Sequence, residues 1–305
     1  MALAWSFDDI PDQTGRTALI TGASSGLGLV VAGQLARRGG SVIMAVRDPD
    51  KGERVRAELS GDLEVRQVDL ADLDSVRRFA DRMHADGRRI DVLLNNAGVG
   101  AQSRVLTPQG YELVFATNQL GPFALTGLLL DLFRPDHDPR VVVVGSNLYR
   151  FARRRTDFTD LAADRSFSPG LSYVQSKTAN LLFGTELERR LRRAGSPVRS
   201  FLAQPGMAST PMHDSARGFA QKAVLTIGKA LLSRPAEQGA LPLAFAATSP
   251  QAQPGRLLGL ASRRRDIRIH AAPLVAPADD HALAGRVWRL SEQATGVHYL
   301  DGDRA

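Results

Sequence analysis

Cysteine is missing from the 305 residues of this chain. Its absence excludes disulfide bonds, a thiolate nucleophile and zinc held by cysteine ligands, and we expect no metal site. It leaves the redox compartment undetermined. The length suits one large α/β domain, and the 43% hydrophobic content is that of a globular protein with a substantial core.

Long apolar runs are also missing. The longest, from Phe123 to Phe133, is interrupted by Thr126, Gly127 and Asp131, and it falls well short of the roughly 20 apolar residues that a bilayer requires. Residues 1–15 contain three aspartates and no basic residue, so they lack the positive start and apolar centre of a signal peptide. We therefore expect no membrane span and a cytoplasmic location.

The charge is unbalanced, with a net charge of +7 and a pI near 10.3. The excess arginines form separate clusters, at 150–155, at 189–193 and at 263–265, without the interleaved aromatic residues that stack on bases. We therefore expect no nucleic-acid partner.

Apolar, β-branched runs alternate with helical patterns along the chain, which predicts a parallel sheet covered by helices on both faces. The predicted strands are Thr17–Thr21, Ser41–Val46, Leu63–Val68, Ile90–Leu94, Val141–Gly145 and Val198–Ala203, with a last strand near Gly255–Leu260. Val141–Val144 is apolar at every position, as in a central strand that is buried on both faces.

No repeat or flexible linker divides the chain, so residues 1–305 are predicted to form a single domain. Its doubly wound core is expected at residues 14–260. Residues 261–305 would form a C-terminal extension that contains one amphipathic helix, His281–Thr295, and caps the sheet.

A glycine-rich turn follows the first predicted strand. Its residues Gly22, Ser24, Ser25, Gly26, Leu27 and Gly28 lie between that strand and a helical stretch. Glycine allows a tight turn and a close approach to a pyrophosphate, and the helix that follows offers free N–H groups to the phosphates. The pattern predicts a Rossmann-type dinucleotide site, although a tight turn without a ligand would look similar.

The same turn also matches the Gly-x-Ser-x-Gly elbow of serine hydrolases, because Ser24 lies between Gly22 and Gly26. Such an enzyme needs an acid and then a histidine further along the chain. The candidates are Asp69 or Asp91, with His270 or His298. This alternative leaves the motifs described next without a role.

The end of the second strand indicates which dinucleotide is bound. An acidic residue at this point would bind a ribose 2′-hydroxyl, but Val46 stands there and Arg47 follows, with Lys51 nearby. The two cations favour a 2′-phosphate and hence NADP(H) over NAD(H). In the alternative, Arg47 is a solvated cation and Asp48 binds the ribose. Asp69, with Leu70 beside it, is placed to meet the adenine, or else caps a helix.

Tyr173 and Lys177 are four residues apart, so on a helix they share one face. A neighbouring cation favours the phenolate, and we expect Lys177 to lower the pKa of the Tyr173 phenol from its ordinary value of about 10. A phenol prepared in this way could move the proton of an alcohol or carbonyl group. The alternative is that Tyr173 and Lys177 are an ordinary amphipathic pair on a helix, with no chemical role.

Six motifs in this order resemble the short-chain dehydrogenases/reductases over residues 14–250. They are the glycine turn, Asn95-Asn96-Ala97-Gly98, Asn118, Ser146, Tyr173-x-x-x-Lys177, and Pro205-Gly206 with Thr210. Two flanking stretches, Asp9–Gly15 and Ser176–Phe183, resemble the retinol-dehydrogenase-like branch.

The resemblance implies a role for each motif. Tyr173 would be the general acid, Ser146 would hydrogen-bond the substrate oxygen, and Lys177 would bind the nicotinamide ribose and stabilise the tyrosinate. Asn118 would hold a water in a proton relay to Lys177. The residues that would line the cofactor are Asn96, Ala97, Gly98, Pro205 and Gly206, with Thr210 at the carboxamide.

The relay also has a physical argument. Pro122 lacks an N–H group, so it cannot bond the carbonyl of Asn118 four residues earlier. The sequence thus predicts a distorted helix with a freed Asn118 carbonyl that can hold a water. Relatives in this branch often carry histidines where this chain has Gln119, Pro122 and Gln204, so the substrate need not be a retinoid.

Together these patterns predict an NADP(H)-preferring oxidoreductase that interconverts a carbonyl and an alcohol. A lid at residues 205–235 contains Met207, Met212 and Phe219, which favours a hydrophobic or amphiphilic small molecule as substrate. A nucleotide-binding regulator with the same fold is the alternative. The helices around Tyr111–Phe133 and Leu171–Leu191 form dimer faces in many relatives, so a homodimer is expected.

Overall fold

The structure is a computed structural model that describes residues 2–152, 158–205, 235–261 and 267–300. Within these ranges, nine strands form a single sheet in the order β1-β9-β8-β7-β6-β5-β2-β3-β4. The strands are β1 Ala2–Ala4, β2 Thr17–Thr21, β3 Ser41–Val46, β4 Asp62–Gln67, β5 Val92–Asn95, β6 Arg140–Val144, β7 Arg199–Ala203, β8 Leu257–Leu260 and β9 Arg268–Ala272.

Helices cover both faces of the sheet. They are α1 Gly26–Arg37, α2 Pro49–Arg56, α3 Leu73–Ala85, α4 Leu113–Phe115, α5 Gly121–Leu128, α6 Pro169–Arg193, α7 Ala236–Thr248 and α8 His281–Thr295. A π-helical turn, Ala116–Leu120, joins α4 to α5. The predicted doubly wound α/β fold is confirmed. Strands β2 to β8 run parallel; β2 and β5 are neighbours at the centre, β3 and β4 follow on one side, and β6, β7 and β8 follow on the other.

The central strand β6 shows why this sheet is buried on both faces. Val141 and Val143 pack into the hydrophobic core on one side, whereas Val142 and Val144 pack into the core on the other. All four valines are at most 5% exposed. Alternate residues of a strand point to opposite faces, so an unbroken apolar run fits only a strand between two helical layers.

One edge of the sheet was not predicted. Strand β9 pairs antiparallel with β8, and β1 pairs antiparallel with β9, with Leu3 opposite Ile269. Both strands lie outside the expected core of residues 14–260. The three residues of β1 are too few to show a strand period, and the two strands of this edge come from opposite ends of the chain.

The predicted helix His281–Thr295 is confirmed as α8. Asp280 caps it, because its Oδ1 accepts the Leu283 N–H at 2.9 Å, and Gly296 ends it in the left-handed region at φ +67°. The cap on the sheet was expected of residues 261–305 as a whole, and within them β9 pairs with the sheet at β8. Helix α8 packs on α6 and α5, where Trp288 meets Phe123 and Phe183.

This packing bears on the expected dimer faces. Phe123 on α5 and Phe183 on α6 both contact Trp288 of α8, so part of the apolar surface of these two helices packs within the chain. The homodimer stays a prediction. Within the described residues, no helix is both long and apolar enough to cross a membrane.

Candidate active site

The glycine turn lies at the carboxyl end of β2, with Gly22 at φ +69° and Gly26 at φ +56°. Both angles lie in the left-handed region that favours glycine. Position 28 requires glycine for a different reason, because there is no room for a side chain. A Cβ at this position would lie 2.5 Å from Asn96 Nδ2 and 2.8 Å from the Gly22 carbonyl oxygen. The turn is therefore closed tightly against the loop after β5.

Asn96 and Ala97 support this turn. The Asn96 side-chain amide donates to the Thr21 carbonyl at 2.8 Å, and the Thr21 hydroxyl accepts the N–H groups of both Asn96 and Ala97 at 3.0 Å. The glycine turn and the motif Asn95-Asn96-Ala97-Gly98 are thus joined by hydrogen bonds through Thr21. In the structure, Asn96 acts on the cofactor site by fixing the backbone of the turn.

Helix α1 begins at this turn without a side-chain cap, because Ser25 makes no capping hydrogen bond. The helices α2, α3 and α8 are each capped by an aspartate, whereas α6 and α7 also begin without a side-chain cap. The side chain of Leu27 is buried in the core, so only its backbone faces the turn, and Ser24 is half-buried. Uncapped N–H groups and a positive helix end suit the pyrophosphate of a dinucleotide.

Arg47 and Lys51 are exposed at the carboxyl end of β3. Asp48, the alternative ribose ligand, serves as the cap of α2, because its Oδ1 accepts the Lys51 N–H at 2.9 Å. One carboxylate oxygen of Asp48 is thereby used within the protein. The cations remain at the surface where the 2′ position of an adenosine ribose would arrive.

Asp69 and Leu70 follow β4. Asp69 Oδ1 accepts the Ala71 N–H at 2.9 Å, and the Asp69 N–H donates to Ser75 Oγ at 3.0 Å, so Asp69 shapes the turn that follows β4. The side chain of Leu70 is 4% exposed and its carbonyl lies against Gly121. Leu70 can therefore offer only backbone atoms to a cofactor.

Lys177 and Asn118 meet beside Gly98. Lys177 is buried, and its Nζ donates to the Val144 carbonyl at 2.8 Å. The Asn118 side chain accepts the Val99 N–H at 2.8 Å and donates to the Val99 carbonyl at 3.0 Å. A Cβ at Gly98 would lie 3.4 Å from both Asn118 Oδ1 and Lys177 Nζ. Desolvation by burial lowers the pKa of Lys177 to about 8.

Tyr173 and Ser146 are also brought together. Their side chains are hydrogen-bonded, and Ser146 Oγ accepts the Leu148 N–H at 3.2 Å, which caps a short 3-10 turn. Because that N–H occupies a lone pair of Ser146, the Ser146 hydroxyl hydrogen is free to point at Tyr173 or at a substrate oxygen.

The expected lowering of the Tyr173 pKa is wrong for the protein alone. Burial around the hydroxyl raises the pKa of Tyr173 to about 12, and the hydrogen bond from Ser146 offsets only part of this. Lys177 does not counteract it, because its ammonium group is directed to the Val144 carbonyl. Four-residue spacing places two side chains on one face of a helix, but it does not place their polar ends together.

The predicted distortion at Asn118 is confirmed. Residues Ala116–Leu120 form a π-helical turn, in which the Gly121 N–H bonds the Ala116 carbonyl five residues earlier. The freed Asn118 carbonyl has a protein donor, the side-chain amide of Asn180 at 2.5 Å. Sequence reasoning missed Asn180. A single amide on the buried face of α6, one turn after Lys177, is the signal that could have found it.

The residues that the serine-hydrolase alternative requires do not lie together. Asp91 accepts the Thr17 N–H at the amino end of β2, whereas Ser24 follows the carboxyl end of that strand. His270 is exposed on β9, five strands away from β2, which is about 24 Å at the usual strand spacing. His298 lies beyond α8, near Glu292.

Other predicted residues are placed only in part. Pro205 follows β7 and is half-buried. Gly206, Thr210 and nearly all of the predicted lid at 205–235 lie outside the described residues, as do Arg153, Arg154 and Arg155 of the arginine cluster. Arg150 lies over the ring of Tyr149, 5.5 Å from its centroid.

A glycine turn that suits an anion and side chains of the kind that could hold and move a proton thus share the carboxyl edge of a parallel sheet. This arrangement defines a Rossmann-type oxidoreductase that works with a nicotinamide dinucleotide. A family model for the short chain dehydrogenases matches residues 16–156. The chain belongs to the short-chain dehydrogenase/reductase family, in its retinol-dehydrogenase-like branch, and is an NAD(P)-dependent enzyme acting on CH–OH or C=O groups.

Similar proteins cover nearly the whole chain. Polyprenol dehydrogenase of Mus musculus is 37% identical over 303 residues, which cover 96% of this chain and 88% of the mouse protein. Retinol dehydrogenase 14 of Homo sapiens is 34% identical and covers 93% of this chain and 87% of its own. The crystal structure of an uncharacterised protein from Mycobacterium paratuberculosis is 41% identical, has a TM-score of 0.79 and covers 97% and 99% of the two chains.

Proposed function

We propose that this enzyme is an NADP(H)-preferring oxidoreductase that interconverts a carbonyl and an alcohol on a hydrophobic or amphiphilic small molecule, with Tyr173 as general acid and base. The observation that carries the proposal is a set of two pairs: Tyr173 is hydrogen-bonded to Ser146, and Lys177 and Asn118 lie on either side of Gly98, in the loop that contacts the glycine turn. A regulator that only binds a nucleotide would not need these two pairs.

Each side chain has a task in the proposed reaction. When bound, the nicotinamide exchanges a hydride with the substrate carbon, and its oxidised ring adds positive charge to the site. Ser146 donates a hydrogen bond to the substrate oxygen, and Tyr173 delivers a proton to that oxygen during reduction or removes it during oxidation. Lys177, whose Nζ donates to the Val144 carbonyl in the protein alone, would bind the hydroxyls of the nicotinamide ribose.

The raised pKa of Tyr173 fits this task in the reducing direction. A phenol with a pKa of about 12 is fully protonated at neutral pH and can donate a hydrogen bond as an acid. Oxidation of an alcohol needs the tyrosinate, and the positive charge of the oxidised ring would then favour it. The direction of the reaction would thus be coupled to the charge of the bound cofactor.

The preference for NADP(H) is supported by charge. Arg47 and Lys51 are exposed at the end of β3, and the neighbouring carboxylate of Asp48 is engaged as the cap of α2. A guanidinium group pairs with a phosphate through two parallel hydrogen bonds. These residues fit a 2′-phosphate better than a 2′-hydroxyl.

An apolar substrate is supported by the surface near Tyr173 and by the relatives. Leu148 and Phe151 follow Ser146 and are 38% and 75% exposed, and Leu171, two residues before Tyr173, is 45% exposed. Similar proteins carry the names polyprenol dehydrogenase and retinol dehydrogenase, and both names denote alcohols with long hydrocarbon chains. We propose an alcohol or aldehyde of this kind, handled in the cytoplasm.

The test begins with the binding of NADPH and NADH, followed by fluorescence. The oxidation of the preferred cofactor is then measured with decanal, farnesal and all-trans-retinal. Tighter binding of NADPH together with turnover of an aldehyde supports the proposal. Binding without turnover of any of these aldehydes would favour the regulator, and equal binding of both cofactors would contradict the NADP preference.

A pair of variants isolates the role of Arg47. Arg47→Ala should weaken NADPH binding by about 10-fold or more while leaving NADH binding unchanged, because a bidentate charged pair contributes roughly 1.5–3 kcal/mol. Arg54→Ala removes another exposed arginine, on α2, and serves as the matched control with no expected effect.

A further inference from the structure

The carbonyl of Asn118, in the π-helical turn, lacks its usual helical donor. Pro122 has no N–H to offer the Asn118 carbonyl, and Asn118 is 1% exposed, so solvent reaches it little. A buried carbonyl without a donor costs about 1–3 kcal/mol. The side-chain amide of Asn180 supplies the donor at 2.5 Å.

Asn180 is itself held in one orientation. It is 3% exposed on α6, and its Nδ2 also donates to Gln119 Oε1 at 3.1 Å. Gln119 is fully buried and donates from Nε2 to Ser291 Oγ on α8 at 3.3 Å. The Ser291 hydroxyl in turn donates to the Val287 carbonyl at 2.9 Å. Both hydrogens of the Asn180 amide are therefore committed to the π turn.

The hydrogen bonds of Asn180 affect the proposed site through Asn118. The turn aims the Asn118 side chain at both backbone groups of Val99 and at Ser176 Oγ, to which Asn118 Nδ2 donates at 2.9 Å. This clamp holds the loop in which Gly98 lies between Asn118 and Lys177 Nζ. A shift of the π turn would move the wall of the pocket around Lys177.

We infer that Asn180 is a positioning residue of the active site: its amide, oriented by Gln119 and anchored to α8 through Ser291, fixes the π turn that points Asn118 at the Gly98–Val99 loop beside Lys177. The inference rests on the proposed function for its effect on turnover. Its effect on the loop is independent of that function.

The first measurement is the amide hydrogen exchange of residues 96–101 by mass spectrometry, in the full chain without cofactor. Asn180→Leu removes both donors at nearly constant volume, and it should speed exchange at the Val99 amide by about tenfold or more. Thr185→Val is the matched control, because Thr185 bonds only a carbonyl of its own helix, that of Leu181, at 2.9 Å and should leave this exchange unchanged. Unchanged exchange in Asn180→Leu would overturn the inference.

The second measurement is steady-state reduction of all-trans-retinal, or of the best aldehyde of the panel, with NADPH. Asn180→Leu should lower kcat by about 10- to 100-fold, since small displacements of reacting groups have effects of that size, with the Kd of NADPH changed less than about threefold. The loss should vanish in an Asn118→Ala background, because Asn180 would act through the Asn118 side chain. Losses that multiply would indicate a general structural defect and contradict the inference.

A folding failure is handled with a second variant. Asn180→Ser is small and polar but too short to reach the Asn118 carbonyl, so it should show the same faster exchange and lower kcat in the fraction that binds NADPH. Normal exchange and normal kcat in this fraction would overturn the inference. If the wild-type enzyme reduces no aldehyde, the proposed function fails, while the exchange result still decides the role of Asn180.

Discussion

The hydroxyl of Tyr173 is hydrogen-bonded to Ser146. Tyr173→Phe removes this hydroxyl and little else. We expect kcat to fall by about 10²- to 10⁴-fold, the usual contribution of a general acid or base, while NADPH binds with nearly unchanged affinity. Turnover with the best aldehyde and a fluorescence titration on the same sample check both parts.

A matched tyrosine provides the control. Tyr111 donates its hydroxyl to the Ala294 carbonyl at 2.9 Å, away from the proposed site. Tyr111→Phe should cost about 1 kcal/mol of stability through the lost hydrogen bond and leave kcat unchanged. If both variants lose activity equally, Tyr173 has no special role in proton transfer.

Lys177 predicts an unusual dependence of stability on pH. Burial lowers its pKa from 10.5 to about 8, so the folded protein carries a penalty of about 3 kcal/mol at neutral pH. The Nζ hydrogen bond to Val144 contributes about 1 kcal/mol in the other direction. Lys177→Met should therefore be about 2 kcal/mol more stable at pH 7 and inactive.

The advantage of Lys177→Met should shrink as the pH rises. Between the folded pKa of about 8 and the unfolded value near 10.5, the unfolded chain binds more protons, so the wild type gains stability with pH. Tyr173, with a folded pKa of about 12 and an ordinary value of 10.0, is present in both proteins, so its titration cancels in the comparison. Urea unfolding of both proteins without cofactor at pH 7 and pH 9.5 tests this. A constant difference would show that Lys177 is not desolvated.

The residue types of the site could be found in the sequence because they occur in ordered motifs, but their environments could not. The spacing of Tyr173 and Lys177 gave their shared helix, yet the pKa of each is set by burial that only the folded chain defines. Asn180 was missed for a related reason. Its partner is a backbone carbonyl, and a sequence does not show which carbonyls lack a helical donor. The only indication here is Pro122, which has no N–H group.

At the scale of secondary-structure elements, the glycine turn and the loop after β5 depend on each other. Gly28→Ala would place a Cβ 2.5 Å from Asn96 Nδ2, which forces the turn away from that loop. We expect NADPH affinity to fall by at least about tenfold, since the amides that face the phosphates move. Isothermal titration measures this directly.

Helix α8 offers the control for the glycine variant. Gly285 is also helical, but a Cβ there would meet only Arg289 Nη1 at 3.6 Å. Gly285→Ala should therefore raise stability by about 0.5–1 kcal/mol and leave NADPH binding intact. Equal losses of affinity in both variants would mean that Gly28 acts through helix stability and not through the turn.

The elements themselves were predicted unevenly. The parallel strands and α8 have long periodic patterns and boundaries close to those observed, as Ser41–Val46 and His281–Thr295 show. Strands β1 and β9 pair across almost the whole length of the chain. Their pairing depends on how the two ends meet after the core has formed, which local periodicity does not encode.

At the scale of the whole molecule, α8 packs on α5 and α6, the two helices that were expected to form dimer faces. Trp288 packs on Phe123 at 5.0 Å and on Tyr299 at 4.7 Å between ring centroids, and Arg190 lies over its ring at 4.5 Å. The same helix carries Ser291, which leads through Gln119 to the π turn. The last helix thus closes the core and supports the site within one chain.

Trp288→Ala tests this arrangement. Loss of a fully buried tryptophan should cost about 3–5 kcal/mol, and loosening of α8 should expose the aromatic residues of α5 and α6. The wild type should then show no dimer formed through α5 and α6, whereas Trp288→Ala should self-associate through them. Sedimentation velocity at matched concentrations compares the two, and Trp5→Ala is the control because Trp5 packs on Phe245, in the core on the other face of the sheet. A wild-type dimer that Phe123→Ala dissociates would show that α8 leaves the α5 and α6 face open to a partner.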